Sequence, residues 1–417
     1  MERGLPTKAL WDRLPEIVRF RDQPGMTETY SFAGAEGTTE LEGQLFRQRA
    51  RPSKAVYLFM HPTATVQLLP MPEALADAGL HVLCASSRYP RNDSALIMEK
   101  VAYDMGQWVR HARESLGYEK VILVGWSGGG SLSLFYAAQS EHPTITHTPA
   151  GDLYDLTAAR LQRVDGIVLI AAHLSRAEVL TEWLDPSVID EFDPDTRDLE
   201  FDIYSPDCPN KPPFTADFIA AFRERQRARN RRITAWAEEM LATLRRRNDG
   251  ETERAFVTHR TMCDVRWIDP TIDPNGRAPG ASYLGNPRTV NVGPAGLARF
   301  STLRSWLSQW SVDDSNVNGL TGASAVDDLA GLDLHVNAME DVALAIEGVD
   351  VLEPQQLIAR AAIALERTRR DRRGPRADID LAHAAIVAHP EGNDGATVDR
   401  ERQHEAFVVV GVLADEV

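Results

Sequence analysis

A chain of 417 residues is long enough to bury a large core and, by length alone, to form two or three structural units. Its 61 acidic against 45 basic side chains leave a formal charge of −16, which argues against general affinity for nucleic acid or anionic membranes. Three widely spaced cysteines (Cys84, Cys208, Cys263) give neither a disulfide framework nor a zinc-ligand spacing, so a reducing compartment, the cytoplasm, is the expected address. No charged-then-apolar signal pattern opens the chain and no apolar run reaches bilayer length, so no membrane association is expected.

Residues 1–25 carry three prolines and mixed charge, and are expected as an arm or short helix on the outside. From Thr27 to Arg49 the apolar pattern predicts two strands joined at Gly34-Ala35-Glu36-Gly37. Lys54 to Met60 reads as a buried strand ending at His61-Pro62-Thr63. Met71 to Gly79 reads as a helix, Leu80 to Ala85 as a strand, and Asp93 to Leu116 as an amphipathic helix capped by Asp93 or Ser94. Val121 to Val124 is another apolar, β-branched run, and from Ser131 the residues Leu132, Phe135, Tyr136 and Ala138 fall at helical spacing. Strands alternating with helices predict an α/β protein with a doubly wound, mostly parallel sheet.

Between that strand and helix lies Gly125-Trp126-Ser127-Gly128-Gly129, a G-x-S-x-G pentapeptide. A chain that reverses so sharply crowds the positions two before and two after the turning residue, where glycine has no Cβ to clash. Ser127 is left at the tip, its Oγ at a helix N-terminus where backbone N–H groups can hold an oxyanion. The stretch resembles the nucleophile elbow of the α/β-hydrolase superfamily, and of its serine esterases and lipases in particular. That resemblance implies the α/β-hydrolase fold, with an inserted, mainly helical cap domain.

The rest of the chain fits that division. A polar stretch, His142 to Arg163, precedes the strand Val164 to Ile170, and the core pattern then lapses until roughly residue 298. Residues 1–173 are therefore expected as the first part of the hydrolase core, 174–297 as the cap, and 298–417 as the remainder of the core. Within the insertion, Glu178 to Asp202 is acidic and Pro206 to Pro213 proline-rich. Phe218 to Arg247 is a basic helical stretch expected to pair with the acidic segment rather than to bind nucleic acid. Thr261 to Gly296 reads as a long loop whose Trp267, Tyr283 and Leu284 either line a pocket or anchor the loop. Ala295 to Trp310 has helical periodicity, Gly331 to Val336 reads as a strand, and Glu353 to Arg372 as a helix. Asp378 to Ala388 and Phe407 to Leu413 are each readable as helix or strand.

A serine hydroxyl needs a base to take its proton, and the base needs an acid to fix its tautomer. The resemblance implies the chain order serine, acid, histidine. The acid falls in the loop after the seventh strand, at Glu340, with Asp341 adjacent. The base is His389 at the end of an apolar run, or else His404, with His383 as a further alternative. His335, inside a predicted strand, reads as a packed histidine. One oxyanion donor is the Gly128 N–H. Relatives supply the second from His-Gly after the third strand. Here that stretch is His61-Pro62-Thr63-Ala64, and because proline has no N–H the donor moves to Thr63 or Ala64, with Thr63 at the matching position. His61 is expected to brace that loop, and Trp126 either to wall the substrate pocket or to pack.

No H-E-x-x-H or comparable histidine cluster occurs, so neither a metal nor an organic cofactor is expected. The reading that follows is a serine hydrolase acting on a small carboxylic ester through an acyl-enzyme. The same triad serves C–C bonds, lactones, amides and thioesters, and a catalytically inactive binding or scaffold protein on this fold is the alternative of another class. The expected partner is a small ester-like substrate, and a homodimer is compatible with the sequence.

Overall fold

The computed structural model of the protein describes residues 11–22, 38–170, 172–173, 175–269, 271 and 296–311, with the backbone of one more strand at 407–411. The chain opens on β1 (Trp11–Arg21), which pairs antiparallel with β2 (Thr38–Gln48) from Trp11 opposite Gln48 to Arg21 opposite Thr38. A strand thus stands where an arm or short helix was expected. Pro15 is tolerated because β1 is the edge of the sheet, where one side of the strand needs no ladder partner. The turn expected at 34–37 and the strand expected around Tyr30 lie outside the described residues.

From β3 (Ala55–Met60) the chain follows the predicted alternation. Next come α1 (Pro70–Asp77), β4 (Val82–Ala85), α2 (Met98–Glu114), β5 (Lys120–Trp126), α3 (Gly128–Glu141) and β6 (Gly166–Ile170). A later segment, Phe407–Gly411, lies parallel to β6, with Gly166 opposite Phe407, so of its two readings the strand is the one found. Together these give a seven-stranded sheet among the described residues, in which β3 lies between β4 and β5 and is parallel to both.

The strands alternate their side chains between two helical layers. Val56, Leu58 and Met60 of β3 face α2 and α3, meeting Val101, Met105, Leu132 and Phe135. Phe59 faces the opposite layer with Leu75 and Ala76 of α1. A sheet covered on both faces explains why these strands read as unbroken apolar runs. The order also fixes the place of a site. Leaving β3, the chain winds one way to β4 and later returns to the other side as β5, so a crevice opens beyond the carboxyl ends of β3 and β5. His61 follows the first of these strands and Ser127 the second.

After β6 the chain builds an inserted layer: α4 (Arg176–Glu182), α5 (Ala216–Arg247), β7 (Ala255–His259), α6 (Val265–Ile268), β8 (Ala298–Thr302) and α7 (Leu303–Gln309). The helix expected over 295–310 is split. Ala298–Thr302 pairs antiparallel with Ala255–His259, and only the part from Leu303 is helical. Trp306, Leu307 and Trp310 pack on Ile233, Ala237 and Leu241 of α5, and the Ser308 hydroxyl of the same helix accepts from the Met98 N–H of α2 at 2.8 Å.

The 32-residue α5 is capped by the Thr215 hydroxyl, which accepts from the Phe218 N–H, and it closes at Asn248 in the left-handed region. Its arginines pair with the acidic segment: Arg225 with Asp198 at 2.7 Å, Arg227 with Glu178 at 3.1 Å and Arg229 with Glu191 at 2.7 Å. Arg229 is fully buried and also donates to the carbonyls of Asp185 and His259, tying three segments of the layer together. Among the described residues no helix is long and apolar enough to cross a membrane.

Candidate active site

The bend from β5 into α3 carries the strain that the pentapeptide implies. Ser127 has φ 52° and ψ −125°, a region that side-chain-bearing residues rarely enter and that is held only where the surroundings enforce it. They do so here. The Ser127 N–H donates to the Ile170 carbonyl at 3.1 Å, and the Ser127 carbonyl accepts from Gly130 at 2.9 Å and His173 at 3.0 Å. A Cβ on Gly125 would come within 2.6 Å of the Gly129 carbonyl oxygen, and one on Gly129 would strike the Met60 carbonyl. The helix begins at Gly128, three residues before its apolar pattern does, which puts its first N–H groups beside Ser127.

His61 sits across the crevice. Its Nδ1 accepts from the backbone N–H groups of Thr63 at 3.1 Å and Ala64 at 2.8 Å, which leaves the proton on Nε2. The Thr63 N–H, expected as the second oxyanion donor, thus donates to the His61 ring, and so does that of Ala64. His61 does brace its loop, yet its other edge faces the elbow, with Nε2 3.0 Å from where a Cβ on Gly128 would stand. Burial pushes its pKa down to about 3, and the positive charge of Arg176 and the His173 ring add to the shift. Such a ring stays neutral at ordinary pH and serves as an N–H donor rather than as a proton acceptor. The Trp126 ring packs at a tilt against that of His61, with centroids 5.8 Å apart.

A third group completes the crevice. Arg176, the first residue of α4, is buried, and its Nη1 lies 3.5 Å from the same point above Gly128. Its Nε donates to Gln309 Oε1 at 2.9 Å and its Nη2 to Asp93 Oδ2 at 3.1 Å. Asp93 also accepts from Arg299 Nη1 at 2.7 Å, and the Arg299 guanidinium lies over the rings of Trp183 and Trp310. Burial lowers the Arg176 pKa to about 10, Asp93 opposing the shift and Arg299 adding to it, so the group remains charged. Asp93, expected as a helix cap, serves instead as this ion pair, and α2 begins only at Met98 with no side-chain cap. Sequence reading passed over Arg176, although a cation in the first turn of a helix, against the positive end of its dipole, is a usable signal.

Among the described residues nothing hydrogen-bonds the Ser127 hydroxyl. The base candidates His389, His404 and His383 and the acid candidates Glu340 and Asp341 lie outside the described residues. Among those described, no group of three His, Cys, Asp or Glu side chains is placed to hold a metal ion, and Cys84, Cys208 and Cys263 are free and buried.

The strand order, the elbow and the crevice at the switch point define an α/β-hydrolase fold. In agreement, residues 65–199 match the family model described as alpha/beta hydrolase fold. Similar solved structures include brefeldin A esterase, a bacterial homologue of human hormone-sensitive lipase. It is 17% identical over 43% of this chain and 45% of its own, with a TM-score of 0.28. Esterase Est22 is 14% identical over 39% and 45%, with a TM-score of 0.27. An esterase of Pyrobaculum calidifontis is 18% identical over 40% and 50%, with a TM-score of 0.25. The chain thus spans about half the length of these structures. No curated protein matches it in sequence.

Proposed function

We propose that the protein is a serine hydrolase that cleaves a small-molecule carboxylic ester. The observation that carries this reading is the enforced backbone of Ser127 at the head of α3, at the sheet's switch point. Folds seldom keep a strained serine there without a use for it. In the mechanism, the Ser127 Oγ attacks the ester carbonyl while a histidine, His389 or else His404, takes the hydroxyl proton. Glu340, or Asp341 beside it, orients that histidine.

The tetrahedral oxyanion is held by the Gly128 N–H and, in place of Thr63, by the Nε2–H of His61. A donor pre-set in this way contributes roughly 10²–10³ in rate. The histidine returns its proton to the leaving alcohol, and water then releases the acyl group from Ser127. The layer formed by α4 to α7 acts as the cap that covers the pocket.

A fluorophosphonate probe tests the nucleophile. The wild-type chain is expected to label at one site and Ser127→Ala to lose both the label and turnover of short-chain esters. Labelling that persists in Ser127→Ala, or none in the wild type, ends the proposal. A panel of lactones, amides, thioesters and C–C substrates then fixes the bond type.

A further inference from the structure

Among the described residues, the crevice holds more positive charge than their side chains balance. Arg176 and Arg299 share one carboxylate, Asp93, and among the described residues neither has another acidic partner. Among the described residues, one unit of positive charge is therefore left over. It resides where burial makes it costly, since the Arg176 side chain is only 9% exposed. Two of its nitrogens are occupied by Gln309 and Asp93. The third, Nη1, has no partner among the described residues and is aimed at the head of α3, 3.5 Å from the Cβ position of Gly128. The positive end of that 14-residue helix points to the same place. His61 adds no charge of either sign there, being a neutral donor.

A buried cation left with one donor, facing a helix N-terminus beside the proposed nucleophile, is complementary to an anion on the substrate. Resting on the hydrolase reading above, we infer that the ester this site accepts carries a carboxylate a few bonds from its scissile carbonyl, and that Arg176 Nη1 binds that carboxylate. The carbonyl oxygen then sits at the Gly128 N–H, and the carboxylate replaces the counter-charge that Asp93 alone does not supply. Charge-assisted contacts of this kind discriminate strongly, because a neutral ester leaves the guanidinium desolvated and unbalanced.

The test uses two matched pairs of esters with the full-length chain, followed by pH-stat titration. Monoethyl succinate is compared with the neutral ethyl levulinate, which places the charge on the acyl side. Acetoxyacetate is compared with acetoxyacetone, which places it on the alcohol side. In at least one pair the charged ester is expected to have a kcat/KM at least about tenfold above its neutral counterpart. Arg176→Gln should bring that ratio close to one, mainly through the KM of the charged ester. Should the buried change disturb folding, Arg299→Gln serves as a second variant. It leaves Asp93 wholly to Arg176, removes the excess charge, and should lower the ratio.

Equal use of charged and neutral esters by the wild type overturns the inference. So does an Arg176→Gln protein that loses kcat on both members of a pair alike, because Arg176 is then an oxyanion donor. Succinate binding to the Ser127→Ala protein, followed by calorimetry, separates the two proposals. Binding that depends on Arg176 in a protein that turns over no ester retains the anion site and removes the hydrolase reading. Ester turnover without succinate binding or charge preference does the reverse.

Discussion

The Nε2 of His61 lies 3.0 Å from the point where a Cβ on Gly128 would stand, and the ring is held from behind by the N–H groups of Thr63 and Ala64. A methyl group at Gly128 therefore meets a ring that cannot swing aside without breaking two hydrogen bonds. Alanine is at the same time the better helix former, by up to about 1 kcal/mol. Gly128→Ala is expected to keep its urea midpoint close to that of the wild type while losing at least about tenfold in the proposed ester turnover, as the two groups proposed to hold the oxyanion are pushed apart. Full turnover in this variant removes His61 and Gly128 as a working pair.

The same ring makes stability depend on pH with a definite sign. In the unfolded chain it titrates near 6.5, and in the folded one near 3. Between those values the unfolded state takes up a proton that the native ring refuses, so native stability falls as pH falls through this window. The whole effect is on the order of 5 kcal/mol. His61→Gln has no such proton to gain. In urea titrations from pH 7 down to pH 4, the wild type is expected to lose ground steadily against the variant. A difference that stays flat with pH means the ring is not held neutral.

Glu99, at the start of α2, should show the opposite slope. It is fully buried, its Oε2 accepts from the Ser308 hydroxyl at 3.0 Å, and among the described residues its Oε1 has no hydrogen-bond partner. Burial raises its pKa from 4.5 to about 7. Its contribution is therefore fully present below pH 4.5 and is lost as pH rises through 7. Between pH 5 and pH 8, Glu99→Gln is expected to gain about 2–3 kcal/mol on the wild type in urea unfolding. Parallel pH profiles would show that the carboxyl ionises without penalty.

How far the sequence carried the fold depends on whether the signal was local. β3 to β6 and α5 were legible because an apolar run, or a helical period with its cap, lies within one stretch of chain. β8 was not. Ala298–Thr302 continues into α7 with a helical spacing of apolar residues, and what makes it a strand is its ladder with Ala255–His259, some forty residues upstream. β1 was masked by Pro15, which only an edge position admits. The elbow was legible to the residue, since Gly125 and Gly129 are demanded by backbone contacts within and beside it. That the His61 ring takes up the Thr63 N–H was not legible, because the direction of that ring is set by packing and not by the order of residues. Arg176 went unnoticed because its partners, Asp93, Gln309 and Arg299, come from three other parts of the chain.

Asp93 is the one carboxylate that both arginines reach among the described residues, which makes it a sharp test of the charge balance. Asp93→Asn keeps the shape but leaves two guanidiniums facing each other across the crevice. Removing one partner of a buried pair costs about 3–5 kcal/mol. With Asp93 29% exposed, solvent screens part of that, and about 2–4 kcal/mol is the expected loss in urea unfolding. Arg299→Met added to Asp93→Asn takes away one of the stranded charges. The double variant is therefore expected to be more stable than Asp93→Asn alone, although a second native side chain has been lost. Strictly additive losses would mean that Arg176 and Arg299 do not share Asp93, and the excess positive charge in the crevice would have no basis.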